Sequence, residues 1–224
     1  MTNLSDLLLD RGDVEGALQL RLRVIEIDQT ILPEAHQNQV TNRTNLAHLY
    51  KQAGQTDRAL ATYGEALEQI RRHGNTHFEP LAWRGIGDVH RNAGDAAAAR
   101  AAYTKALAIS RSVADDLDAS FSLMRLGTLE RRVERPRQAE LYLRQALAIR
   151  QTLPDADQAS GRSRAALTRA DLGACLLDQG RRREAVIELC ESRRVLREIH
   201  GPEDHEVLAV EDLLRELGET CTQN

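Results

Sequence analysis

GDAAAARAAYTKALAI (94–109) decides the fold, because the chain writes nearly the same phrase elsewhere. GQTDRALATYGEALEQ occupies 54–69 and RPRQAELYLRQALAIR occupies 135–150. Each has an alanine five residues after a turn position. Gly12 precedes Ala17, Gly54 precedes Ala59, Gly94 precedes Ala99 and Gly180 precedes Ala185, while Glu134 takes the glycine's place before Ala139. The alanines are spaced by 42, 40, 40 and 46 residues. A sustained period near 40 marks a repeat array, in which each unit buries its apolar face on a neighbour.

Other positions recur in phase with these alanines. Twelve residues before them stand Ser5, Ala47, Gly87, Gly127 and Gly173, all small, each preceded by a branched apolar residue (Leu4, Leu46, Ile86, Leu126, Leu172). Four residues after them stand Arg21, Tyr63, Tyr103, Leu143 and Leu189. Spacings of three and four place such residues on one helix face. A small residue on a first helix, facing the small anchor on a second, lets the two backbones approach closely, and the larger Leu or Tyr fills the space beside them. The glycine between them ends the first helix. Asp13 and Asp95 are placed to cap the next helix, and Pro136 falls in a first turn that tolerates its missing N–H.

The pattern predicts an all-α fold of about five helix–turn–helix repeats. The paired helices are expected near 1–11 and 13–29, 34–52 and 56–73, 76–92 and 96–113, 115–132 and 136–152, and 163–179 and 181–198. A last helix near 203–218, bearing Glu211, Asp212, Arg215 and Glu216, gives the stack a polar cap. The expected organisation is one repeat domain over 1–224, with units near 1–33, 34–75, 76–114, 115–156 and 157–200 and a cap over 201–224. The fifth unit's extra length is expected within ASGRSRAAL (159–167).

Composition agrees with this reading. Hydrophobic residues make up 42% of the chain and aromatics only 3%, so the core must be built from Ala, Leu, Ile and Val, which favours close-packed helices. A net charge of −4 argues against a general nucleic-acid binder. No apolar run reaches the roughly 18–20 residues that span a bilayer, and MTNLSDLLLDRGD lacks the basic-then-apolar order of a secretory signal. Cys175, Cys190 and Cys221 have neither metal-like nor framework spacing, so a reducing, cytoplasmic setting is expected. Arg- and Ala-rich usage suggests a GC-rich bacterial genome.

The repeat resembles the tetratricopeptide repeat. Trp83, Ile86, Gly87, Gly94, Ala99, Tyr103 and Ala106 of the third unit carry the resemblance most fully. The long period matches the longer-helix variety found in the kinesin light chain. HGPEDHEVLAVEDLL (200–214) and LPEAHQNQVTNRTNLAHLY (32–50) resemble the stretches between such repeats. Arg21 in an aromatic place, Glu134 in a glycine place and the long fifth unit are departures. The resemblance implies a right-handed superhelical solenoid whose first helices line a concave groove for extended peptides or helices. Helical phase then assigns Thr41, Thr44, Asn45 and His48 to the groove from the second unit. It assigns Arg84, Asp88 and Arg91 from the third, Arg125, Thr128 and Arg132 from the fourth, and Asp171 from the fifth. In the family, an Asn in the phase of Asn45 holds a peptide backbone, as its paired donor and acceptor allow. Arg84, Arg91, Arg125 and Arg132 recur as a basic stripe able to fork onto carboxylates or phosphates. The family's carboxylate clamp for chaperone tails is not reproduced, because Thr2 and Asp6 stand where Lys and Asn are needed.

Catalytic signatures are missing. The sequence has no HExxH, GxSxG, P-loop or CxxC. RGIGDVH (84–90) lies in an expected helix, where Gly87 serves packing. His73 and His77 are separated by a Gly74–Asn75 loop and lack a third ligand. Asp115, Asp116 and Asp118 suit a helix start, and Cys175 and Cys190 suit buried positions. The expected function is therefore a noncatalytic protein- or peptide-binding adaptor with no cofactor and no metal. Its partner is a protein or peptide, an acidic one among the candidates, and neither nucleic acid nor membrane. The alternatives are a peptide-sensing regulatory module of a larger bacterial switch protein and a self-assembling repeat protein in which copies stack end to end.

Overall fold

The computed structural model describes residues 4–33 and 36–221. Every regular element among them is a helix. Contacts divide the chain into two compact units, Met1–Asp115 and Asp116–Asn224.

Unit 1 is built from α1 (Leu4–Asp10), α2 (Val14–Ile31), α3 (Gln37–Gln52), α4 (Thr56–His73), α5 (Glu79–Asn92) and α6 (Ala96–Ser112). A single 3-10 turn, Thr76–Phe78, leads into α5. Consecutive helices pack against each other as hairpins, α1 on α2, α3 on α4 and α5 on α6. The Gly16 N–H donates to Asp13 Oδ1 and the Ala98 N–H to Asp95 Oδ1, each at 2.9 Å, so the two expected caps form. The anchors Ala17, Ala59 and Ala99 are fully buried. Beside Ala17 and Ala59 lies a core of Leu18, Val40, Leu46, Ala47, Leu49, Tyr63, Leu67 and Ile70. Where Arg21 replaces the aromatic, its Nη2 donates to Ser5 Oγ at 2.6 Å and its Nη1 to Asn42 Oδ1 at 2.9 Å. The departure is thus absorbed by hydrogen bonds made sixteen residues back and twenty-one residues on.

Unit 2 contains α7 (Asp116–Arg132), α8 (Pro136–Thr152), α9 (Ala159–Asp178), α10 (Arg182–His200) and α11 (His205–Glu216). Helices α7 and α8, and α9 and α10, form the hairpins, and α11 packs on α10. Pro136 is the first residue of α8. ASGRSRAAL is helical from Ala159, ahead of the expected start of that helix at 163. The fifth unit's additional residues go into the loop 153–158 and the added first turn of α9. Glu140 on α8 joins the hairpins. It accepts from Gln179 Nε2 (2.9 Å), Arg181 Nη1 (2.6 Å) and Arg144 Nε (2.8 Å). Burial alone would raise its pKa, but these donors outweigh it and take the carboxyl down to about 2.

Val207, Val210 and Leu214 of α11 close over Leu189, Val195 and Leu196 of α10, which is the work expected of the cap. A covalent bond secures it. Cys190 on α10 and Cys221 beyond α11 form a disulfide with a Cα–Cα distance of 5.5 Å. This corrects the reading of the cysteines as unpaired and removes their argument for a reducing compartment. The third, Cys175, is a buried thiol whose pKa burial pushes up.

In each hairpin the close approach is set by one pair of residues sixteen apart. A Cβ added to Gly87 would stand 2.4 Å from the Tyr103 ring, one on Gly127 2.6 Å from Leu143 Cγ, and one on Gly173 2.7 Å from Leu189 Cγ. At the turn the backbone needs the left-handed region. Gly94 has φ +84°, and Glu134, in the equivalent place, is held at φ +58°. Gly127→Ala is therefore expected to lower stability by about 1–2 kcal/mol, overpacking outweighing the better helix propensity of alanine. Glu134→Gly is expected to raise it by about 0.5–1 kcal/mol. Urea midpoints at unchanged m test both. The disulfide spans a sequence separation of 31. Cys190→Ala is expected to cost about 3 kcal/mol through the freed loop, and dithiothreitol should lower the wild type by as much and leave the variant unchanged.

Candidate functional site

In unit 1, α3 and α5 lie side by side. On α3 the side turned toward α4 carries buried Leu46, Ala47 and Leu49, whereas Asn45 is half-buried and His48 exposed. Thr41 and Thr44 spend their hydroxyl protons on their own helix. Thr41 donates to Gln37 O (3.0 Å), and buried Thr44 lies 2.8 Å from Val40 O and 2.9 Å from Thr41 O. On α5, Arg84 and Asp88 are only 9% and 7% exposed. Asp88 is a structural hub. The Tyr103 hydroxyl donates to its Oδ1 at 2.7 Å, Lys51 Nζ of α3 lies 3.5 Å from its Oδ2, and Arg91 lies 3.6 Å from its Oδ1. Burial, and then the charge of Asp88, push the Tyr63 phenol well above its ordinary range. Lys51 is a residue the sequence reading passed over. Its signal was available, since Lys51, Arg91 and Arg131 share one register, four residues after Ala47, Gly87 and Gly127.

In unit 2, α7 and α9 are likewise neighbours. Arg125 and Thr128 are half-buried and Arg132 is exposed. The Thr128 hydroxyl is within 3.0 Å of Met124 O and 3.1 Å of Arg125 O. Arg131 bridges the two helices, its Nε donating to Asp178 Oδ2 at 2.6 Å. Beneath them Arg150 of α8 is 2% exposed. Its Nε donates to Ser120 Oγ (3.2 Å) and its Nη1 to Arg164 O and Thr168 Oγ1 (both 2.6 Å), with the Phe121 ring centroid 5.0 Å away. Nη2 is buried without a hydrogen-bond partner. Burial, reinforced by Arg164 and Arg125, lowers the Arg150 pKa to about 10, so the group stays charged at neutral pH. Asp171 of α9 is half-buried and makes no hydrogen bond or ion pair among the described residues. Burial pushes its carboxyl up to about 6, against the opposing pull of Arg131, Arg125 and Arg150.

Each unit therefore carries a polar seam between consecutive first helices. Such seams can hold a ligand by charge and hydrogen bonds. Among the described residues no group of three or more His, Cys, Asp or Glu is placed to hold a metal, and no helix is long and apolar enough to cross a membrane. Trp83 packs against the core with Lys105 Nζ 4.0 Å above its ring. Thr2 and the side chain of Asp6, relevant to the family's carboxylate clamp, lie outside the described residues.

Hairpins of this length, register and small-to-large pairing define a helical repeat protein. A family model described as tetratricopeptide repeat matches residues 1–72 and 79–152, and the chain belongs to that family. Solved structures share the fold. BtubC (BKLC) from P. vanneervenii superposes with a TM-score of 0.70 at 21% identity, over 90% of this chain and 80% of that one. The Podosopora anserina putative kinesin light chain, with nearly identical TPR-like repeats, gives 0.62 at 17% identity over 88% and 93%. RapI in its apo form gives 0.66 at 14% identity, over 95% of this chain and 62% of RapI. No curated protein sequence matches the chain.

The position of Asp171 has a thermodynamic consequence. Its folded-state pKa, near 6, lies above that of an unfolded aspartate, so the folded chain binds the extra proton and loses stability as pH rises from about 4 to 6. Asp171→Asn is expected to raise stability by about 1–2 kcal/mol at pH 7.5 and to change it little at pH 4, as read by thermal melts at the two pH values.

Proposed function

We propose that the chain is a noncatalytic adaptor that holds a protein or peptide ligand along its first-helix seams. The observation that carries this is the sorting of polar residues by face. Leu46, Ala47, Leu126 and Gly127 are buried against the second helices, whereas Asn45, His48, Arg91, Arg125, Thr128 and Arg132 remain accessible on the same first helices. Those side chains lie outside the apolar core, and their chemistry suits a backbone or an acidic side chain. Thr44, Arg84 and Asp88 contribute from beneath by fixing the helices rather than by contact. Membership of the tetratricopeptide repeat family supports a binding role over a catalytic one. A cytoplasmic setting is part of the proposal, and the Cys190–Cys221 bridge makes it a point to test, by the redox state of the protein isolated with thiols blocked.

The decisive experiment is affinity capture from the native host by wild type and by two variants of unchanged helicity. One carries Asn45→Ala with His48→Ala, and the other Arg125→Gln with Arg132→Glu. A partner held by wild type is expected to be lost, at least ten-fold, from one variant or both. Equal capture by all three proteins would place binding off the seams and overturn the proposal, as would turnover of a substrate that neither variant impairs. Capture of further copies of the chain alone would favour self-assembly.

A further inference from the structure

We propose that α11 is a redox-controlled lid on α10, held shut by the Cys190–Cys221 disulfide and released when a dithiol reductant opens that bond. The lid works whichever seam holds the adaptor's partner.

Helix α11 packs on α10 and, more lightly, on α9. Its buried anchors are Val207, Val210 and Leu214, set against Leu189, Val195 and Leu196. Three apolar side chains are little burial to set against ordering the whole segment from Asp204 to Cys221. The polar ties lie at the surface. Arg182 Nε and Nη2 donate to Glu219 Oε1 at 3.2 and 3.0 Å, and Arg197 Nη1 lies 3.6 Å from Glu211 Oε1, with both arginine side chains 55% exposed. Exposed pairs of this kind contribute little. Closure therefore depends on the covalent bond. The loop 201–204 holds the lid at one end, and Cys221, beyond the end of α11, holds it at the other. With the bond cut, the segment is tethered at one end only, and docking of α11 loses the advantage of a closed loop.

The bond is placed for exchange. Cys190 and Cys221 are both half-buried at the edge of the apolar cluster, and Cys221 lies outside any helix. A thiolate of the dithiol attacks Cys221 Sγ. The Sγ–Sγ bond breaks, and its electron pair leaves with Cys190 Sγ, which takes a proton. The reductant's second thiol then attacks its own sulfur in the mixed disulfide and frees Cys221 as a thiol. Two electrons and two protons pass to the bridge from the dithiol, which ends as a disulfide. Cys175 stays out of the exchange, because its buried S–H donates to the Pro136 carbonyl at 3.1 Å. A disulfide oxidant runs the same steps backwards and shuts the lid. The switch is thus a change in one covalent tie, and the element it biases is a helix that is marginal without that tie.

The test uses the full chain in three forms: oxidised, reduced with dithiothreitol, and as Cys221→Ser, which is open without any reductant. Thiol alkylation followed by intact mass is expected to show the bridge reduced without denaturant and re-formed by oxidised glutathione. Amide hydrogen exchange read by mass spectrometry follows the lid. Reduction frees α11 locally, so the exchange rate of α11 amides relative to α8 amides is expected to rise about ten-fold. Cys221→Ser should show the reduced ratio in either buffer. A ratio unchanged by reduction, with both helices speeding together, would mean that the bond stabilises unit 2 as a whole and would overturn the lid. So would Cys221→Ser keeping the oxidised ratio. A bridge that dithiothreitol reaches only after denaturation would overturn the switch.

Discussion

The structure depends on a repeated absence of matter. Where Gly127 faces Leu143, even one methyl group would stand 2.6 Å from Leu143 Cγ and 3.4 Å from the Ala139 carbonyl oxygen. The backbone of Ala139, fully buried, cannot retreat, because it packs in the core shared with α9 and α10. Two helices this close bury nearly all of the facing surface with small side chains, and one Leu or Tyr per hairpin supplies the remaining volume. The sixteen-residue pair is therefore the unit of design, and its members change together. Gly87 goes with Tyr103 and Gly173 with Leu189, but in the first hairpin the pair becomes Ser5 with Arg21, joined by a 2.6 Å hydrogen bond.

A core of this kind is thin in apolar volume, and unit 2 shows the consequence. Arg150 occupies the register of Ile70, Ser110 and Leu196, all fully buried. A guanidinium there must be satisfied by what surrounds it, and three protein oxygens and an aromatic face do most of that. Replacing one partner would leave a buried charge short of hydrogen bonds, a larger loss than any single contact contributes. Such a residue contributes less to stability than a leucine would, but it charges the seam above it without being touched by solvent.

Much of this was legible in the sequence, and the reasons are specific. Hairpin boundaries at 56–73, 96–112 and 136–152 follow from the phased alanines and the turn residues, because each is dictated by contacts within one repeat. The caps at Asp13 and Asp95 are local chemistry and were equally readable. What escaped depends on chain segments far apart. The Cys190–Cys221 bridge needs α11 to fold back along α10, which spacing alone does not reveal. The start of α9 at Ala159 was hidden by Ser160 and Gly161, which read as loop. Gly161 is nonetheless buried in α9, its hydrogens so near the Asp155 carbonyl that a Cβ would stand 1.9 Å from it. Within the candidate site, helical phase did not give the burial. Arg84 and Asp88 share the expected face with His48 and Arg132, yet only the latter two reach solvent.

That division follows from what each position must do. Side chains near the axis of a seam are held by the next first helix, as Lys51 holds Asp88 and Arg131 holds Asp178. They set the spacing of the helices and are poorly free to vary. Side chains half a turn away, such as Arg132, stay exposed, so ligand chemistry can alter there at little structural cost. Asp171 belongs to neither group. It is inside enough to lose water and outside enough to lack a donor, an arrangement that costs stability in the free protein.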